Sequence, residues 1–380
     1  MGTFLTDIKV VKLLHLQDFN IHIDNEEKKH LIITGKNGTG KTLLLNAIGE
    51  YLNVFIKHEA ESLLPQLDNI NWSHLTGGVE LTFNNPNNLA KSIDKSQFIL
   101  AFYEAERGTS KSMVEPESPD KPNLQPVQYI KAKKTNEFLK FLADLKIQEA
   151  LAQVANQTED VNNIQQWFVN FEEILKDIFE DRNLKLQFNY KDYSFKIASQ
   201  GKIFGFNHFS DGYYAIIDIA ADLILKMQEE NRYNRVFDKE GIVLIDEIET
   251  HLHLELQRLI LPLLTRIFPN IQFIVTTHSP FVLGSLSNAI AFDLERKQII
   301  SDDLTDYSYE SLAEGYFGVE TISGDLENRI ERLKELVHKE RNTTEDEEMN
   351  LLLSDFEKIP EAVAPNIKSA YFQLKRELLK

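Results

Sequence analysis

Leu31-Ile32-Ile33-Thr34-Gly35-Lys36-Asn37-Gly38-Thr39-Gly40-Lys41-Thr42-Leu43-Leu44-Leu45 reads as three pieces in order. The apolar run at Leu31–Ile33 suits a buried central strand. Gly35, Gly38 and Gly40 permit a tight turn. Leu44, Leu45, Ile48 and Leu52 then recur at helical spacing. Strand, glycine-rich turn, helix is the context a phosphate-binding loop requires. Glycines let the backbone curl so that successive N–H groups point inward at phosphate oxygens, and the helix adds its positive end. The segment Gly35, Lys36, Asn37, Gly38, Thr39, Gly40, Lys41 and Thr42 is therefore expected to line a nucleotide, here ATP. Lys41 can reach the β- and γ-phosphates, and the Thr42 hydroxyl can ligate Mg²⁺.

Three further stretches converge on the same chemistry. Ile242-Val243-Leu244-Ile245 runs into Asp246-Glu247, which places two carboxylates at the C-terminal end of an apolar strand, where such sheets bind ligands. Asp246 is suited to hold Mg²⁺, and Glu247 to orient and deprotonate the attacking water. A second apolar strand ends in Thr276-Thr277-His278, so His278 lands at the same edge. Its imidazole can hydrogen-bond the γ-phosphate or the water. Phe209-Ser210-Asp211-Gly212-Tyr213 opens an apolar helix, with Ser210 at its N-cap. Each has a plainer alternative: solvated strand-end acids, a structural histidine, a simple helix cap.

Outward from these motifs, residues 4–23 alternate apolar and polar positions and predict two antiparallel strands. Residues 108–128 hold Pro116, Pro119, Pro122 and Pro126 among Ser, Glu and Lys, the composition of a loop or mobile arm. Residues 135–180 predict helices, and 184–197 a hairpin. Residues 308–380 are mostly helical, with Asn342–Glu348 expected as a polar linker between two helices. The expected organisation is an N-terminal ATPase segment at 1–107, an inserted loop and helical lobe at 108–200, the remainder of the head at 201–300 and a helical extension at 301–380.

The four motifs together resemble the ABC-type ATPase heads of the SMC, RecF and OLD group. Gly35–Thr42 is similar to that group's version of the loop, and Phe209–Tyr213 to its signature, with Asp211 where transporters carry glycine. Glu249-Thr250-His251-Leu252-His253 resembles the group's D-loop. The resemblance implies an α/β fold: a mostly parallel central sheet with flanking antiparallel strands and a helical lobe, followed here by the C-terminal helices. It implies two heads facing each other as a homodimer or higher homo-oligomer, with Ser210 and Gly212 contacting the γ-phosphate held by the partner head. A glutamine switch residue is also implied. Gln97 lies on the wrong side of its strand, and Tyr103–Arg107 is the alternative. Ser210–Met227 and Glu247–Ser285 resemble ATPase subunits of bacterial anti-phage defence operons of the Septu and retron-associated type, which work beside a separate effector such as a nuclease or toxin. A DNA-repair clamp of the RecF or SMC kind is the alternative function.

Composition trims the remaining classes. The 380 residues carry 41 Lys and Arg against 59 Asp and Glu, a formal net charge of −18. That charge repels phosphate backbones at long range and argues against general DNA or RNA binding. Lys131, Lys133 and Lys134 form the one basic cluster and are expected as a solvated helix start. The absence of cysteine excludes disulfides and thiolate catalysis. No long apolar run points to a membrane, and Met1–Val10 lacks the pattern of a secretory signal, so a cytoplasmic protein is expected. Asp302-Asp303 and Asp346-Glu347 follow no apolar strand and are expected as solvated loop acids rather than nuclease ligands.

Overall fold

The computed structural model describes residues 2–57, 78–106, 113–228, 237–300, 303–318, 324–359 and 365–378. Two compact units divide the chain, Met1–Leu312 and Ala313–Lys380.

In the first unit, β1 (Leu5–Leu13) pairs antiparallel with β2 (Leu16–His22). On its other side it pairs with β4 (Val79–Phe83), completing a three-stranded sheet. The main sheet is built from β3 (His30–Thr34), β5 (Phe98–Tyr103), β9 (Glu240–Ile245), β10 (Ile271–Thr276), β11 (Ala289–Asp293) and β12 (Gln298–Ile300), in the order β12-β11-β3-β10-β9-β5. Only β12 runs antiparallel to its neighbour. Strands β3, β9 and β10 are buried throughout their central residues, which explains why they read as continuous apolar runs rather than alternations. Helix α1 (Lys41–Lys57) follows β3, and its Leu44, Leu45, Ile48 and Leu52 enter a core with Leu31, Ile33, Leu100, Leu244 and the small sheet.

The register sets the site. Thr276 stands opposite Ile33, and Val275 opposite Ile245. Tyr103 also faces Ile245. The ends of β3, β5, β9 and β10 therefore lie side by side on one edge, and the loops that follow emerge together.

Between β5 and β9 lie α3 (Phe138–Val154), α4 (Thr158–Ile178) and a three-stranded meander of β6 (Lys185–Phe188), β7 (Phe195–Ser199) and β8 (Lys202–Gly205). Trp167 of α4 anchors this lobe, edge-on to Phe141 at 5.5 Å and stacked on Phe171 at 5.4 Å. Helix α5 (Asp211–Lys226) leads back toward the main sheet. Helix α2 (Pro86–Asp94), which apolar spacing alone does not reveal, starts where the Asn85 side chain accepts from the Asn88 N–H and Pro86 occupies the first turn.

One expectation is corrected in part. The lysines at 131–134 do lead into a helix start, Lys134 standing just before the turn Thr135–Glu137, but they are paired rather than simply solvated. The Lys131 ammonium lies 2.6 Å from Glu104, and Lys133 pairs with buried Asp218 at 2.8 Å. The Lys134 N–H donates to Asp222, which also accepts from the Tyr103 hydroxyl and pairs with Lys226. Burial and the Lys226 charge pull the Lys134 ammonium down to about 8. Asp218 and Asp222, on α5 and almost wholly buried, demand countercharges, and this segment supplies them. The described part of the proline-rich stretch, from residue 113, has no helix or strand, yet buries Met113 and Leu124. Arg107, Asp302 and residues 108–112 lie outside the described residues.

Helix α6 (Leu254–Ile267) joins β9 to β10, the short α7 (Pro280–Leu283) follows β10, and α8 (Tyr309–Phe317) spans the boundary between the units. Tyr316 and Phe317 are half-buried there. In the second unit, α9 (Gly324–Val337), α10 (Thr343–Lys358) and α11 (Pro365–Glu377) enclose Ile330, Leu333, Leu336, Met349, Phe356 and Tyr371. Here Asn342–Glu348 is no linker: it is the cap and first turns of α10. The Asn342 side chain accepts from the Glu345 N–H at 3.0 Å, and the Glu345 carboxylate accepts from the Asn342 N–H at 3.2 Å. This reciprocal pair outweighs the polar composition. Asp346 and Glu347 are accordingly helix residues. Among the described residues no helix is long and apolar enough to cross a membrane.

Candidate functional site

The turn after β3 uses its glycines as the sequence requires. Gly35, Gly38 and Gly40 have φ of +138°, +82° and +99°, a backbone that side chains resist. Gly40 is doubly constrained: a Cβ there would lie 3.0 Å from Nε2 of His15, whose ring contacts the Thr39 carbonyl at 3.0 Å. Lys41 is 5% exposed, and its ammonium donates to the carbonyls of Gly35 at 2.9 Å and Lys36 at 3.1 Å, so the loop closes around it. Burial lowers its affinity for a proton, while Glu247, Glu249 and Asp246 oppose that shift. The base of the loop thus lies among three carboxylates. Thr39 donates to the Lys36 carbonyl, and Lys36 itself pairs with Glu295 at 3.1 Å. Asn37 and Gly38 form an exposed tip, and Thr42 is exposed at the start of α1.

Beyond β9, Asp246 is 3% exposed and receives the Thr276 hydroxyl at 2.6 Å. The same hydroxyl oxygen accepts the Glu247 N–H at 2.7 Å. One threonine at the end of β10 therefore fixes both acidic residues. Glu247 has φ +44°, a left-handed conformation that costs a non-glycine residue about 1–3 kcal/mol and recurs where function over-determines the backbone.

The loop after β10 is tied to this one by Glu249. Its carboxylate accepts the His278 N–H at 2.5 Å and the Thr277 hydroxyl at 2.8 Å. Burial raises its pKa, against those hydrogen bonds. The His278 imidazole is held below its ordinary value by burial and by Lys41, against Glu247 and Asp246. Ser279 caps α7, and its hydroxyl donates to Gln257 of α6 at 2.7 Å.

Lys41, Asp246, Glu247 and His278 thus stand in or beside the loops that leave the adjacent ends of β3, β9 and β10. Ser210 stands at the N-cap of α5, exposed, with its hydroxyl making no capping bond. Gly212 packs against the turn after Glu249: a Cβ would meet the His251 carbonyl at 3.0 Å and Leu256 at 3.2 Å. Gln97 sits before β5, on the edge opposite the site, whereas Tyr103 ends β5 on the site's edge and Glu104 follows it. Sequence reasoning singled out neither Thr276 nor Glu249 as a site residue. Thr276 reads as one more residue of a buried strand. Glu249 was visible only as part of the stretch resembling a D-loop.

Residues 119–284 match a family described as "AAA domain, putative AbiEii toxin, Type IV TA system". That match takes in Ser210, Gly212, Asp246, Glu247 and His278, and begins after Lys41. The chain is 33% identical over 237 residues to the Septu protein PtuA of Bacillus mycoides, covering 59% of this chain and 32% of that protein. It is 46% identical over 81 residues to the Retron Ec83 probable ATPase of Escherichia coli, 21% of this chain and 15% of the relative. To the Retron Vc95 probable ATPase of Vibrio cholerae it is 35% identical over 122 residues, 31% and 21% respectively. The chain therefore spans about a third or less of the length of these relatives. Among solved structures it is similar to an SMC head bound to the C-winged helix domain of ScpA, with TM-score 0.41, 12% identity and coverage of 77% of this chain and 95% of the other. An SMC head domain from Thermotoga maritima gives TM-score 0.38 and 13% identity, covering 77% and 94%. In sequence the chain is thus similar to parts of Septu and retron ATPases.

Proposed function

We propose that this chain binds and hydrolyses Mg·ATP, and uses the cycle as a nucleotide-gated switch in an anti-phage defence complex with a separate effector, such as a nuclease. The observation that carries the catalytic part is the convergence of the Gly35–Thr42 loop, Asp246–Glu247 and His278 on one sheet edge, locked by Thr276 and Glu249.

The donor set fits ATP and Mg²⁺. The loop presents a positive-φ backbone and a buried ammonium, and Asp246, Glu247 and Glu249 leave an excess of negative charge beside Lys41. Mg²⁺ is commonly held by one or two carboxylates together with substrate phosphates. Thr42 and Asp246 would hold it, and it would neutralise charge developing on the β- and γ-phosphates. Lys41 exchanges its two carbonyl partners for phosphate oxygens. Glu247 takes a proton from the attacking water, and the His278 ring offers a hydrogen bond to the γ-phosphate or the water.

A second copy completes the cage. Ser210 and the N–H groups opening α5 form an anion site, and the first head already surrounds its phosphates with Lys41, Thr42 and the loop amides. Ser210 and Gly212 therefore serve the γ-phosphate of the partner head. The defence role rests on the Septu and retron relatives, and the chain's −18 charge favours a protein effector over a duplex clamp.

Lys41→Ala tests the site. Steady-state ATPase at saturating Mg·ATP is expected to fall to background while the circular dichroism spectrum is unchanged. Turnover equal to wild type would overturn the assignment.

A further inference from the structure

The His278 loop is not held by its own strand alone. Its backbone N–H and the neighbouring Thr277 hydroxyl both end on one carboxylate, at 2.5 and 2.8 Å, and that carboxylate belongs to Glu249, 29 residues earlier in the chain. Thr277 in turn accepts the Ser279 N–H at 2.9 Å, so a single acid organises three consecutive residues. A half-buried carboxylate accepting an N–H and an O–H makes charge-assisted bonds, the stronger kind. Glu249 also opens the turn that continues through His251, where φ is +69°, to Leu252, whose N–H donates to the Glu249 carbonyl at 2.9 Å. On the outer side of that turn sits α5: the Gly212 α-carbon lies so near the His251 carbonyl that a Cβ would be 3.0 Å from it, and 3.7 Å from the Leu252 α-carbon. One continuous set of contacts thus runs from the signature helix, through the 249–252 turn, to His278.

We infer that Glu249 is a positioning residue that sets the place of His278 and transmits to it the seating of the helix that carries Ser210. The inference rests on the proposed ATPase reading for its kinetic consequence, but not for its structural one. The carboxylate is engaged by the His278 N–H and the Thr277 hydroxyl. Its task is to hold the His278 backbone, and the contact at Gly212 makes that hold sensitive to where α5 sits. A partner's γ-phosphate drawing on Ser210 would then be felt at the histidine of the same chain.

Two measurements on the full chain test this. Hydrogen–deuterium exchange of the peptide spanning 275–282, without nucleotide, is expected to rise in Glu249→Ala and in Gly212→Ala. Glu249→Gln keeps an acceptor for the His278 N–H and should stay near wild type. In ATPase assays Glu249→Ala should lower kcat about ten- to a hundredfold, the usual cost of removing a group that orients a working one. The dissociation constant for a fluorescent ATP analogue should stay within about twofold, and Glu249→Gln should recover most of the rate. Unchanged exchange at 275–282 in Glu249→Ala would overturn the positioning role, and unchanged exchange in Gly212→Ala would overturn the transmission. A wild-type chain without ATPase activity would instead sink the proposed function, leaving the exchange result to decide this inference alone.

Discussion

His30 begins β3 as a buried imidazole, 4% exposed, whose Nδ1 accepts the Phe273 N–H at 3.0 Å. That bond requires an unprotonated Nδ1. Burial, with help from Lys28, drops its pKa from 6.5 to about 4. Between those values the unfolded chain binds a proton that the folded chain refuses, so stability falls as pH falls through 6.5 toward 4. The full loss, complete below about 4, is about 3 kcal/mol. Urea unfolding of wild type and His30→Asn at pH 7 and 4.5 checks this. Asn offers an acceptor without a titrating proton, so the variant should lose less stability than wild type over that interval. Equal losses would assign the acid sensitivity to other groups. This residue also marks the limit of sequence reasoning. Lys41, Asp246, Glu247 and His278 were legible because each follows or precedes an apolar run in a recognisable order. His30 and Thr276 were not, because their roles arise from β10 lying between β3 and β9, a strand order that no local pattern encodes.

At the scale of elements, the strands and helices around the site were legible for a simple reason: buried parallel strands are apolar throughout, and helices with one covered face show it in their spacing. Errors fell where capping or charge pairing decided. Asn342 and Glu345 begin a helix within a stretch whose composition suggests a linker. Asp218 and Asp222 draw the lysines at 131–134 inward from another element, a pairing invisible until α5 is placed. The C-terminal helices make a second prediction. Helices α9 to α11 have their own core and form part of a unit separate from Met1–Leu312, which carries the candidate site. Deleting residues 325–380 is expected to leave ATP-analogue affinity within about twofold and to reduce assembly size or partner capture in light scattering. A truncated chain that no longer binds nucleotide would make these helices part of the site's support.

For the whole molecule, the proposed sharing of sites between two copies has a distinctive consequence. Ser210→Arg and Lys41→Ala are each expected to be inactive alone. In a mixed dimer one of the two sites combines an intact loop with an intact signature helix, so ATPase activity should return on mixing once labelled subunits are shown to exchange. Exchange without recovery would argue against sites shared between chains. The central claim, hydrolysis at the edge where β3, β9 and β10 end, is tested most directly by Glu247→Gln. ATP-analogue binding and phosphate release are measured side by side on variant and wild type. Glutamine preserves shape and removes the base, so binding should persist while phosphate release falls by about 10²–10⁴-fold. A Glu247→Gln chain that releases phosphate at the wild-type rate would contradict the claim.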